Sequence, residues 1–326
     1  MANNNENNNG FLKFIRNKEL LMVAIGLIIF FSVSSDRFLS GSNITNVLMN
    51  ISVSGILALG LALVMINGDF DLSFGSAIGL LNLISLILID KGLNVWVTFT
   101  LAILGGVLWA AFNGFLVVKL KMHAFVATIA TWTLCRGLIY WIAKGKTFYG
   151  DYPKFMTIIG RGTVLNIIPI SSIIFITAAI IIFLLANRSK FGRYIYAVGS
   201  NPDAAEYVGI NSNRIRFTSY LLEGVLIGLA GVILCSKLGS GPATTGEGFQ
   251  MTCIASAFLG ATVFKPGLVN IGGSILGIFL LSIIENGLIM LSVPFYFKFI
   301  VQGLIIIGAV AFISLKNTRS EGPAIV

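Results

Sequence analysis

Charge is scarce in this sequence. Asp, Glu, Lys and Arg make up 11% of its residues and hydrophobic residues 56%, whereas a soluble domain is about 25% charged. That balance excludes an ordinary water-soluble enzyme or regulator. Cysteine is sparse too. Cys135, Cys235 and Cys253 each sit in or beside an apolar run, with no CxxC or metal spacing. They read as small core residues, so no metal site and no cofactor is expected. The one histidine, His123, stands beside Lys119 and Lys121. A single histidine is poor support for a proton relay, and it reads as an interfacial polar residue. The GKT at 145–147 looks like the end of a phosphate loop, but that loop requires glycine at 140, where Tyr140 stands. The chain therefore shows no nucleotide site of its own. No charged n-region, short apolar core and small-residue cleavage site occur together, which argues against a cleavable signal peptide.

Long apolar runs, by contrast, recur along the whole chain. A helix needs about 20 apolar residues to span a bilayer, and runs of that length predict an all-α polytopic membrane protein. Ten spans are expected, at 20–35, 46–66, 74–90, 95–117, 123–143, 167–186, 217–236, 250–264, 271–290 and 296–315. Thirty-six glycines suit spanning helices that approach closely. The expected organisation is a basic, disordered N-terminal stretch (1–19), a single transmembrane domain (20–316) and a short tail (317–326). The net charge of +9 would suggest nucleic acid for a soluble chain. Here it predicts Lys and Arg retained in cytoplasmic loops, with no nucleic-acid partner. Placing both termini in the cytoplasm puts thirteen of the 22 basic residues inside and eight outside, with Arg136 within a span. Lys13, Arg16 and Lys18 anchor the N-terminus, and Lys265, Lys316 and Arg319 also fall inside.

Two segments are weak as spans. The run 250–264 is short and carries Thr252, Ser256 and Thr262, and NGDFDLSFG at 67–75 interrupts an apolar stretch with Asp69 and Asp71. Broken segments are tolerated at membrane depth where protein or a water-filled cavity covers the backbone, and transporters handle solute at such places. Asp69 and Asp71 thus admit two readings. One is a polar break near a solute route, with Asp71 capping the next helix through Ser73 and Gly75. The other is an ordinary turn with a carboxylate at a helix N-terminus. Arg136 lies well inside a span, where charge is costly and faces a partner or cavity. Glu223 and Glu285 are the acids inside later spans, so an Arg136–Glu223 or Arg136–Glu285 pair is one expectation and a solute pathway another. GSAIG (75–79) and GSILG (273–277) match each other, but they share one orientation and read as small-residue packing faces. The loop 144–166 is long enough for structure of its own, with Tyr149, Tyr152 and Pro153 available to pack it against the membrane face or a partner.

The longest polar interruption runs from Arg188 to Arg216, with Arg188, Lys190, Arg193, Arg214 and Arg216 at its ends. Its basic flanks suit anionic lipid headgroups. Its centre, GSNPDAAEYVGI, predicts a short helix over 202–209. Asn201 serves as cap, Pro202 takes the first helical position and Asp203 and Glu206 favour an N-terminal turn. Ala204, Ala205 and Val208 offer a small apolar face, and Gly209 ends the element. So short a helix is marginal alone and wants a partner, either its own bundle or a groove on a cytosolic protein.

The stretch FGRYIYAVGSNPDAAEYVGINSNRIRFTSYLLEGVLIGLAGVI closely resembles the cytoplasmic loop and following helix of permease subunits of ribose-type monosaccharide ABC importers. GDFDLSFGS and AFVATIATWTLCRGL resemble two further segments of that family, in colinear order over about 40–315. The resemblance implies a ten-helix permease of the vitamin-B12-importer type (type II) in a bacterial inner membrane. It would work with a second permease subunit, identical or paralogous, with cytosolic ABC ATPase subunits and with an extracytoplasmic sugar-binding protein. It makes the short helix the ATPase-coupling helix, with Gly192, Arg193, Gly199, Asn201, Pro202, Ala204, Ala205 and Gly209 as coupling residues. Asp69, Asp71, Arg136, Glu223 and Glu285 are the pathway candidates from the residues themselves. The chain departs from many relatives at LGATVFKPGLVNIGG (259–273). Its Glu223 and Glu285 stand where ribose permeases are not expected to have acids. The solute thus ranges over a pentose, hexose or polyol, with a nucleoside or autoinducer sugar as alternatives. An ion-coupled secondary transporter using the pathway charges, or a passive channel, are the competing classes.

Overall fold

The computed structural model describes residues 19–320 except 166 and 265–266. Lys13, Arg16, Lys18, Lys265 and the end of the expected tail lie outside the described residues. Helix follows helix: α1 (Glu19–Ser34), α2 (Gly41–Ile66), α3 (Phe74–Asp90), α4 (Val95–Gly114) with a π turn at Phe115–Lys119, and α5 (Ala124–Ala143). After the short α6 (Ile158–Arg161) come α7 (Ile170–Arg188), α8 (Lys190–Ser200) and α9 (Pro202–Tyr207). The described residues continue with α10 (Ser212–Leu238), α11 (Glu247–Gly260), α12 (Ile271–Met290) and α13 (Tyr296–Ser320). The all-α expectation needs one amendment, a hairpin of two-residue strands, β1 (Thr163–Val164) and β2 (Ile168–Pro169).

Each expected span coincides with a helix. Seven among the described residues, α2, α4 with its π turn, α5, α7, α10, α12 and α13, are long and apolar enough to cross a bilayer. α1 and α3 are apolar but shorter, and α11 has 14 residues. α13 continues to Ser320, into the segment expected as tail.

The chain divides into two compact units, one of Leu48–Ile254 and one of the chain on either side of it. In the first, α10 is the central post. Gly106 of α4 stands against the backbone of Gly224 and Gly228, and Gly224 returns the contact to the Gly106 carbonyl. A side chain on any of these would drive the two helices apart, the physical reason small residues mark membrane helix contacts. GSAIG is a packing face: Gly79 abuts the Thr245 carbonyl and Gly75 the side chain of Gln250. In the second unit GSILG does the same, with Gly273 on Gly260 and Gly277 on Ser256. There Phe31 of α1 packs over Gly287 of α12, and Asn43 and Asn286 exchange amide hydrogen bonds at 2.9 Å in both directions. Cys135, Cys235 and Cys253 are free and buried, as their apolar surroundings predict.

The loop at 144–165 docks on the end of α10. Gly160 donates its amide to Ser236 Oγ at 2.7 Å, and Arg161 Nε donates to the Lys237 carbonyl at 2.6 Å. Tyr152 lies over Gly239, while Tyr149 points outward.

Candidate functional site

The stretch between α7 and α10 folds as an elbow of two helices, where sequence led us to expect one. Ser189 ends α7 and caps α8, accepting from the Gly192 amide at 3.0 Å. Gly192, Ile195 and Val198 form the inward face of α8. Two of the expected coupling residues are glycines for a packing reason: Gly192 lies on the Ala186 carbonyl and Gly199 on the Ile66 carbonyl. Burial holds the Tyr196 hydroxyl above its ordinary pKa.

Local chemistry then builds α9 as expected. Asn201 Oδ1 accepts from the Ala204 amide at 2.9 Å, and Pro202 occupies the first turn. Gly209 takes φ +83, and Ile210 donates its amide to the Ala205 carbonyl at 3.0 Å, closing the end. Asn211 caps α10 through the Arg214 amide at 2.8 Å, and Ser212 Oγ donates to the Pro202 carbonyl at 3.0 Å. The expected apolar face is corrected. Ala205 turns inward and is 4% exposed, while Ala204 faces out. The outward tip is Tyr207, 92% exposed, and Val208, 74% exposed. A six-residue helix cannot bury both sides, and Ala205 alone points toward the elbow's interior. Of the five basic flank residues, Arg188, Lys190, Arg193 and Arg214 are exposed. Arg216 is not a headgroup ligand. It turns inward onto Asp69, donating from Nη2 to Oδ1 at 2.5 Å and from Nε to Oδ2 at 2.9 Å.

That pair joins the start of α10, just after the elbow, to the polar break at 67–73. The break has no helical ladder, so its backbone groups need other partners. Thr128 of α5 donates to the Phe70 carbonyl at 3.2 Å, and Gln250 of α11 to the Leu72 carbonyl at 3.1 Å. Asn67 Nδ2 donates to Ser219 Oγ at 2.6 Å. Asp71 is a cap, but for the Ser73 amide (2.5 Å) and not through Gly75. Its other oxygen accepts from Asn113 Nδ2 at 3.2 Å, while Ser73 Oγ accepts from Asn113 at 2.6 Å and from Trp109 Nε1 at 3.0 Å. Glu223 meets Asp71 here. It is 1% exposed, and neither carboxyl oxygen accepts a hydrogen bond from a donor among the described residues. Such an arrangement is costly in an apolar bundle.

The expected Arg136 pairs do not form. Arg136 Nη2 sits 2.7 Å from Glu247 Oε1, an acid just before the expected span 250–264 that opens α11. Its guanidinium lies over Trp132 (4.9 Å) and Tyr140 (5.7 Å), one turn to either side. The two side chains are 30% and 37% exposed. Glu223 points away to Asp71, and Glu285 binds Lys298 Nζ at 3.0 Å and Gln302 Nε2 at 2.7 Å within its own unit. The structure thus gathers Asp69, Asp71 and Glu223, and leaves Arg136 and Glu285 with separate partners. Sequence reasoning missed Asn113, Ser219, Gln250 and Glu247. Asn113, a lone amide in the apolar run WAAFNGFLVV, was the available signal. His123 is exposed immediately before α5.

Residues 43–310 match the family model described as the branched-chain amino acid transport system / permease component. The chain is similar to the ribose import permease protein of Bacillus subtilis, 34% identical over 87% of this chain and 88% of that protein. It is similar to the ribose import permease protein of Haemophilus influenzae, 32% identical over 98% and 99%. The autoinducer 2 import system permease protein of Photorhabdus laumondii is 32% identical over 92% and 91%. No solved structure matches the chain. The chain belongs to this family of transport-system permease components.

Proposed function

From that membership we propose that the chain is the membrane-spanning permease subunit of an ATP-driven importer in a bacterial inner membrane. The solute is a monosaccharide or chemically similar polyol, in line with full-length relatives named for ribose and autoinducer 2 import. The permease contributes passage and not covalent chemistry; hydrolysis belongs to separate ATPase subunits. The bundle crosses ten times with both termini in the cytoplasm, in the vitamin-B12-importer arrangement. Two permease subunits, two ATPases and an external sugar-binding protein complete the machine.

The observation that carries this reading is the elbow. Tyr207 and Val208 are large apolar groups held outward on a capped, packed support. An aromatic tip of that kind suits a groove on a partner protein. The cleft of a cytosolic ATPase is the partner we assign. Gly192, Gly199, Asn201, Pro202, Ala205 and Gly209 shape the support; Ala204 and Arg193 are exposed on it.

Among the pathway candidates, Arg136 suits the solute route best. Lipid tolerates a half-exposed ion pair poorly, so the Arg136–Glu247 face turns to water or a second subunit. Trp132 and Tyr140 add rings that stack on sugars. A second reading, ion coupling, is favoured by one observation, the buried Glu223 with no donor.

Uptake into proteoliposomes separates the two. Transport of a sugar from a ribose, xylose and autoinducer-2 panel, only with ATP, the ATPase and the binding protein, is the expected result. Uptake by this chain alone, driven by a proton or sodium gradient, would overturn it.

A further inference from the structure

The break at 67–73 is held from two sides, by α8 of the elbow and by α10, which follows the elbow directly. On one side Gly199 of α8 lies on the Ile66 carbonyl, where any side chain would collide with backbone. On the other, Arg216, Ser219 and Glu223 form one stripe of α10 at i, i+3 and i+7, and a helix puts such residues on one face. All three meet the break: Arg216 holds Asp69, Ser219 holds Asn67, and Glu223 meets Asp71. α9, which carries Tyr207 and Val208, is strung between α8 and α10. Movement of α9 therefore displaces both of the break's supports.

The strongest link in this set is the Arg216–Asp69 pair. Its guanidinium makes two parallel charge-assisted bonds, with the Asp69 side chain 6% exposed and that of Arg216 27% exposed. Bidentate geometry fixes direction as well as distance, which a lysine ammonium does not. Beyond Asp69 the contacts continue. The Phe70 and Leu72 carbonyls are held by Thr128 of α5 and Gln250 of α11, the two helices that carry Arg136 and Glu247.

We propose that Arg216 and Asp69 are positioning residues that form the joint between the start of α10, where the elbow ends, and the break, delivering movement of α9 to α5 and α11. The proposal rests on the reading of the elbow as the ATPase contact. The joint does not touch solute or nucleotide. It sets how much of the ATPase movement reaches the helices that carry the Arg136–Glu247 pair.

A charge exchange in the full complex tests it. Arg216→Asp, Asp69→Arg, the double exchange and Arg216→Lys are compared in proteoliposomes with the ATPase and binding protein. Each single reversal is expected to lower uptake per ATP hydrolysed by about tenfold, the scale of a one-to-two kcal/mol coupling, with hydrolysis close to wild type. Arg216→Lys falls between, and the double exchange recovers most of the ratio. A second readout needs no solute: amide exchange at 67–73, with and without ATP and vanadate. Wild type is expected to change its exchange there on nucleotide binding, the single reversals to lose that change and the double exchange to regain it. Unchanged uptake per ATP in both reversals overturns the joint, as does failure of the double exchange to recover either readout. A wild-type complex that hydrolyses ATP, responds at 67–73 and imports none of the panel sugars overturns the solute assignment. The exchange comparison then still decides the joint.

Discussion

The elbow at 189–211 and the break at 67–73 are both polar interruptions of an apolar chain, and they are built in opposite ways. The elbow is assembled from neighbours in sequence: Ser189 caps α8, Asn201 caps α9, Gly209 ends it and Asn211 caps α10. Its polar groups are satisfied within a few residues, and its apolar tip is left facing out. The break is assembled from distant segments: Asn113, Thr128, Arg216, Ser219 and Gln250 all supply partners to residues 67–73. A surface element can rely on water for what its own sequence does not satisfy. A buried one must find every partner inside the protein. The elbow is therefore expected to tolerate change at its tip, and the break to tolerate little.

Thermal unfolding of detergent-solubilised variants tests that contrast, from the largest loss to the smallest. Gly199→Leu, which forces a side chain into the Ile66 carbonyl where elbow and break meet, should cost about 3 kcal/mol by overpacking. Asp71→Ala leaves the Ser73 amide without its acceptor and removes one of the two acceptors of the Asn113 amide, and should cost about 2 kcal/mol. Asn201→Ala removes one cap from the elbow and should cost about 1 kcal/mol. Tyr207→Ser changes an exposed side chain and should shift stability by less than about 0.5 kcal/mol, while ATP-driven uptake is lost. If Tyr207→Ser destabilised the bundle as much as Asp71→Ala, the two regions would not differ in kind. If Asp71→Ala were silent, the break would not depend on its buried acceptor.

The same contrast explains what was legible in the sequence. The long apolar helices were readable because apolar length is a local property. So were the caps of α9, because Asn201, Pro202 and Gly209 act on adjacent backbone. The helix α8 was not read, since KFGRYIYAVGS carries two glycines, whose use is close packing on Ala186 and Ile66. The inward turn of Arg216 was invisible for a related reason. Its partner Asp69 lies 147 positions away, and nothing in the spacing ties them. Arg136 illustrates the limit for charge in membranes. Its need for a partner followed from physical cost, but the choice of Glu247 over Glu223 depended on how α5 and α11 meet. Even Gly75 and Gly79, rightly seen as a packing face, gave no hint that the partner was the segment at 245–250.

Cross-linking from the elbow tip tests the central reading most directly. Cys135, Cys235 and Cys253 are fully buried, so a cysteine introduced at Tyr207 is the accessible thiol on which a bifunctional maleimide acts. Tyr149→Cys, 77% exposed in the loop that the proposed orientation puts outside, serves as the control. In the assembled importer Tyr207→Cys should link to the ATPase subunit, and Tyr149→Cys should not. A link from position 149 to the ATPase, with none from position 207, would contradict both the orientation and the assignment of the elbow.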